Sequence, residues 1–141
     1  MTASPIIPLL ISHAIGDVAI SSKRLAVLKR DAKVGRQLAG IAIHCGFHAV
    51  ASYIMLQLFG CAALLGAALV FGQHFIIDFV RCRIERLVWG PGKPFQTISG
   101  LVSKQDRAIK RDKKGFLIWG GILGTDQLAH LFCLLGISTL L

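Results

Sequence analysis

The sequence predicts an all-α fold, an integral-membrane four-helix bundle, on three observations. Hydrophobic residues make up 54% of the 141 positions and charged residues 16%, with a mean hydropathy of +0.65, which lies outside the usual soluble range. Residues 5–22, 37–59, 61–80 and about 120–141 are apolar runs, each near the ~20 residues that cross a ~30 Å hydrocarbon core. Finally, all sixteen basic residues lie in two stretches, Lys23 to Arg36 and Arg81 to Lys114. A single transmembrane domain, residues 1–141, accounts for the whole chain.

The first span, 5–22, begins MTASPIIP, which has no positive n-region, and a polar pair interrupts its apolar stretch, so it reads as a retained helix rather than a secretory signal. A basic loop, 23–36, leads to the second span, 37–59. A turn at Leu58 to Cys61 reverses the chain into the third span, about 61–84 with its basic end. Two prolines and two glycines in GPGKP then end that helix. In the second basic loop, 85–119, Ile98, Leu101, Val102 and Ile109 alternate with lysines and arginines, the pattern of an amphipathic segment on a membrane surface.

The basic loops set orientation by the positive-inside rule: both face the cytoplasm of a bacterial inner membrane, and both termini face out. The net charge of +9 is thereby topological and attracts anionic lipid head groups. No recognition-helix or aromatic-platform pattern accompanies it, so nucleic acid is not an expected partner. The four cysteines sit on different spans without a CxxC pair and read as small hydrophobes.

Each span carries one polar pair at i,i+4: His13 and Asp17 in HAIGD, His44 and His48 in HCGFH, His74 and Asp78 in HFIID, Asp126 and His130 in DQLAH. That spacing puts both members on one helix face. A charged aspartate at mid-membrane costs about 2.5–3.5 kcal/mol, so three cost roughly 8–10 kcal/mol if uncompensated. No lysine or arginine interrupts these apolar segments beside the carboxylates. A bound divalent ion is then the simplest compensation, and imidazole with carboxylate suits zinc first, with iron or manganese as other choices. Eight donors suffice for one ion with supporting groups, or for two ions about 3.5–4 Å apart. Ser12, Gln73 and Gln127 adjoin the pairs, as ligand-orienting groups or as interhelical hydrogen bonders.

Depth along each helix follows from ~1.5 Å per residue. Asp78 lies roughly 5 Å in from Arg81 and His13 roughly 15 Å in from Lys23, whereas His130, counted from Lys114, lies roughly 24 Å in. Level pairs therefore require the fourth span to start near Gly121, with Trp119 as an interfacial anchor. The first and third spans share the plan H-x-x-x-D followed by a basic cluster, so the bundle reads as two hairpins in an approximate parallel repeat. Small-residue faces at Gly120 to Gly124 and at Ala62, Ala63, Gly66 and Ala67 serve the bundle or a homo-oligomer.

The four motifs together resemble a family of small integral-membrane proteins of bacteria and phages, domain-of-unknown-function family 3307. Its pattern is H-x-x-G-D near the N-terminus, then H-x-x-x-H, H-x-x-x-D and D-Q-x-x-H. Val18 stands where that family often has phenylalanine. The resemblance implies the topology and the choice of residues and carries no activity. The pattern is also loosely similar to membrane-bound metal-dependent hydrolases.

A membrane-embedded metal-dependent hydrolase of a lipid or isoprenoid, phosphoryl or acyl, is the leading expectation, with Asp126 as general base beside Gln127. Lys23, Arg24, Arg81 and Arg83 stand at the cytoplasmic mouth, placed to hold a lipid phosphate. The alternatives are a di-iron oxygenase or desaturase, a metal or proton transporter, and a phage or host membrane interaction protein with a structural metal. Transport ranks lower because residues Cys61 to Gly72 are wholly apolar.

Overall fold

The computed structural model describes residues 4–19, 22–90 and 113–141. The described residues are helical apart from short turns: α1 (Ile6–Ala19), α2 (Lys23–Leu28), α3 (Val34–Leu58), α4 (Ala63–Trp89) and α5 (Lys113–Ser138). The expected amphipathic segment and the GPGKP run fall almost entirely outside them.

Three helices, α3, α4 and α5, are long and apolar enough to cross a bilayer. By contrast α1 has 14 residues, roughly 21 Å at ~1.5 Å per residue, and is the short member of a helical membrane bundle. Pro8 lies in its first turn, where a missing N–H removes no intrahelical bond. These four helices close a ring in which α1 packs on α3, α3 on α4, α4 on α5, and α5 back on α1.

The burial pattern is that of a protein turned outward to lipid. Large apolar side chains such as Val18, Val50, Leu64, Leu87 and Phe132 are exposed, whereas Ser12, Gln37, His44, His48, Ser52, His74, Asp78, Glu85, Asp126 and His130 are buried. On α3 the buried positions 37, 40, 41, 44, 45, 48, 52 and 56 form one stripe at helical spacing.

Three glycines shape the frame. Gly60, at φ +68°, ends α3 in a Schellman motif: its N–H donates to Gln57 O at 3.1 Å and the Cys61 N–H to Leu56 O at 2.9 Å. A Cβ at Gly40 would lie 2.8 Å from the backbone of Leu28 and Lys29, so only glycine lets the end of α2 approach α3 this closely. A Cβ at Gly16 would collide with the His48 ring, and α1 therefore reaches the centre of the bundle. Ser22 caps α2 by accepting from the Leu25 N–H at 3.2 Å.

The fourth helix begins at Lys113, ahead of the span start expected near Gly121, and runs unbroken to Ser138, with His130 level with the other pairs. The depth count used Arg81 as a boundary, whereas α4 continues past it to Trp89 and Arg81 is part of the interior. Trp119, expected as an interfacial anchor, is buried against Phe116, ring centroids 5.6 Å apart. Among the described residues nothing lies within 4 Å of a Cβ built at Gly120 or Gly124, while Gly66 packs on Leu56 and Leu141.

Candidate metal centre

All eight paired residues converge on one interior region, through three groups whose ligand atoms lie within 4.8 Å of one another. These are His13, His48 and His74; Asp17, His44 and His48; and Asp78, Asp126 and His130. The first two share His48, and His74 joins the first to the third, its ring 4.1 Å from those of both His48 and His130. The remaining rings stand 4.6–5.5 Å apart, His44 against His48 and His13 against His48, His74 and His130.

Helix geometry explains the convergence. Pair members at i,i+4 stack on the inward face of their own helix, and α4 and α5 run antiparallel so that His74 meets His130 while Arg81 meets Asp126. On α1, His13 and Asp17 are 3.5 Å apart. Asp17 Oδ1 then lies 3.3 Å from His48 Nε2 and 3.9 Å from His44 Nε2. His44 Nε2 is also 3.5 Å from Asp78 Oδ2. An ion held at bonds of about 2.0–2.1 Å in a tetrahedron separates its ligand atoms by about 3.4 Å; the 3.3 and 3.5 Å spacings are close to that value and the 3.9 Å one is wider.

Gln127 ties three of the eight together. Its Nε2 donates to Asp17 Oδ2 at 2.9 Å and Asp126 Oδ2 at 3.3 Å, and its Oε1 is 3.2 Å from His13 Nε2. Gln73 bonds the Nδ1 of His74. Ser12 does not reach the cluster; it donates to Leu9 O at 2.9 Å and pairs with Ser52 at 2.9 Å, an interhelical link between α1 and α3. Several buried ring atoms make no hydrogen bond among the described residues, namely Nδ1 of His44, His48 and His130, together with Asp126 Oδ1. Such clustering of unmatched donors and acceptors is costly unless a ligand completes it.

The compensating charges differ from those expected. Lys29, from the loop after α2, turns inward and donates to Asp78 Oδ2 at 3.0 Å. Arg81 donates through Nη1 to Asp126 Oδ2 at 2.8 Å and through Nε to Glu85 Oε1 at 2.9 Å, and Arg30 bonds the other oxygen of Glu85. Two of the three aspartates are therefore neutralised by side chains of this chain. Asp17 is the exception, with imidazoles and Gln127 as its partners.

Sequence reasoning passed over Lys29, Arg30 and Glu85. Glu85 carried a readable signal: it is the chain's one glutamate, a turn beyond Arg81 and two beyond Asp78 on the same face of α4. Lys29 and Arg30 carried none, because only the close packing of α2 on Gly40 turns them inward. Of the basic residues expected at the mouth, Arg81 lies in the interior network, and Arg83 sits over the Phe79 ring at 5.1 Å.

Beyond this polar region the interior is apolar. Leu9, Leu56, Ala63, Val70, Leu134 and Ile137 form one buried cluster toward the Gly60 end of the bundle.

The family model described as Protein of unknown function (DUF3307) matches residues 6–141, and the chain belongs to that family. No curated protein and no solved structure matches it.

Proposed function

We propose that this DUF3307 protein is a membrane-embedded, metal-dependent hydrolase that acts on a lipid or isoprenoid, phosphoryl or acyl, from the cytoplasmic side of a bacterial inner membrane. The observation that carries the reading is the junction of Asp17, His44 and His48, where a half-buried carboxylate has no lysine or arginine partner among the described residues and two imidazole nitrogens stand 3.3 and 3.9 Å from one of its oxygens. A divalent ion there supplies the missing positive charge, and zinc, iron and manganese all accept this donor set. Ligands are unprotonated when they bind, neutral for imidazole and anionic for carboxylate.

A metal in such a site lowers the pKa of bound water to about 7 and polarises a substrate oxygen. Around it, Gln127 holds Asp17, Asp126 and His13 in register, a positioning role. Asp126 keeps one oxygen on Arg81 and the other, Oδ1, without a hydrogen bond; that second oxygen is the one suited to take a proton. The basic loops on the cytoplasmic side and the outward termini complete the proposed topology. Conduction is the weaker reading, since the apolar cluster from Leu9 to Ile137 offers an ion no polar step toward the opposite face.

Elemental analysis of the purified full chain tests the metal. Near-stoichiometric zinc, iron or manganese is expected in the natural sequence and in Ser12→Ala, with a loss of about tenfold or more in His48→Ala and Asp17→Asn, given that even outer groups of metal sites change affinity 10–100-fold. Equal trace metal in all four proteins overturns the proposal. Iron as the metal, with an absorption band under oxygen, would replace hydrolysis by oxygenation.

A further inference from the structure

His13 and His74 face one another with ring nitrogens 3.1 Å apart, Nδ1 of the first against Nε2 of the second. The partners of their outer nitrogens decide where the protons sit. Gln127 gives its amide N–H to Asp17, a carboxylate that only accepts, so its amide oxygen is the atom 3.2 Å from His13 Nε2. Asp17 Oδ2 lies 3.5 Å from that same nitrogen. Both are acceptors, and His13 therefore carries its proton on Nε2. On α4, His74 Nδ1 lies 3.2 Å from the carbonyl oxygen of Val70, again an acceptor, so His74 carries its proton on Nδ1. Gln73 bonds the same Nδ1 and accepts from it when its interchangeable amide oxygen and nitrogen are exchanged.

The two facing nitrogens are thus both lone pairs. Acceptors this close repel one another unless a cation lies between them. His48, 0% exposed, adds a third donor: one nitrogen each of His13, His48 and His74 lie within 4.8 Å of one another, and neither ring nitrogen of His48 makes a hydrogen bond among the described residues. A proton joins two nitrogens, whereas three that converge are the donor set of a metal. The outer bonds agree, because metal-bound imidazoles give their other N–H to a backbone carbonyl or a carboxylate.

From these observations we infer that His13, His48 and His74 form a second metal site, holding zinc or another divalent ion that imidazole suits through His13 Nδ1 and His74 Nε2. The inference makes the centre of the hydrolytic reading a two-ion one and rests on that reading for the ion at Asp17, His44 and His48. His48 serves both ions, one nitrogen to each, and gives up its remaining proton to solvent as the second ion binds. The second site is the weaker, because none of its three ligands is a carboxylate to offset the added charge.

The experiment titrates the purified full chain in detergent micelles with zinc against a chromophoric chelator and counts metal per chain. Beyond the ion retained through purification, the natural sequence should take up about one further zinc in a saturable step. His74→Leu should keep the purified ion and bind the further zinc about tenfold or more weakly, given that even outer groups of metal sites change affinity 10–100-fold. His44→Leu should lose the purified ion and still take up zinc at the three imidazoles. If His74→Leu lowers yield, His13→Leu removes a ligand of the same site from another helix. No saturable uptake in the natural sequence, uptake unchanged in His74→Leu, or loss of both ions from a folded His74→Leu protein overturns the second site. The first of these results leaves the ion at Asp17 standing, and a chain purified without metal that still binds zinc through His74 removes that ion while sparing the three-imidazole site.

Discussion

Where Leu9, Leu56, Ala63, Val70, Leu134 and Ile137 meet, the bundle interior is dry and hydrocarbon-like. A few helical turns along the same helices it consists of imidazoles, the carboxylates of Asp17, Asp78, Glu85 and Asp126, and the cations Lys29, Arg30 and Arg81. In a membrane the apolar half gains little over its unfolded alternatives, because lipid tails are as apolar as leucine and packing alone distinguishes them. The polar half is different in kind: each charge depends on a particular partner, and the absence of one strands another in low dielectric. Uniform hydrophobicity places helices in the membrane, whereas matched charges specify which helix stands beside which.

The largest break in that comparison should come at Glu85, which receives both Arg30 and Arg81. Glu85→Ala leaves two guanidinium groups without this acceptor, with an expected loss of about 3–5 kcal/mol, measured by unfolding in mixed detergent micelles. A loss under ~1 kcal/mol would mean that water reaches the network and the pairs behave as surface ones.

In the apolar half Leu56→Ala should cost about 2 kcal/mol, the lower end of the range for buried leucine, since much of the transfer contribution is missing in lipid. Its metal content should stay at that of the natural sequence. Loss of metal in this variant would show the halves to be coupled rather than separate.

The smallest effect is expected where the halves meet. Ser12→Ala removes the link to Ser52 at 2.9 Å and should cost about 0.6 kcal/mol, the average for an interhelical hydrogen bond in a membrane protein. A cost several times larger would extend the polar half outward to this level.

The eight converging residues were legible because imidazole and carboxylate pairs at i,i+4 stand out in apolar helices, and helix geometry makes each pair share a face. The helix–turn–helix at Gly60 was legible as a turn for a similar local reason, a glycine where the chain must take φ of +68°. The level of His130 was hard to read from basic residues as boundary markers, because Arg81 lies inside, on Asp126.

By itself the sequence determined that this chain forms apolar helices and which face of each carries chemistry, since hydropathy and the 3.6-residue period are local properties. Only the tertiary structure decided how the carboxylates are compensated. Lys29 reaches Asp78 across 49 positions and Arg81 reaches Asp126 across 45, distances at which nothing local couples the residues. Those contacts arise from helix packing, from Gly40 admitting the end of α2 and from α4 and α5 meeting in antiparallel register, and among the described residues they leave Asp17 as the aspartate partnered by imidazoles and Gln127.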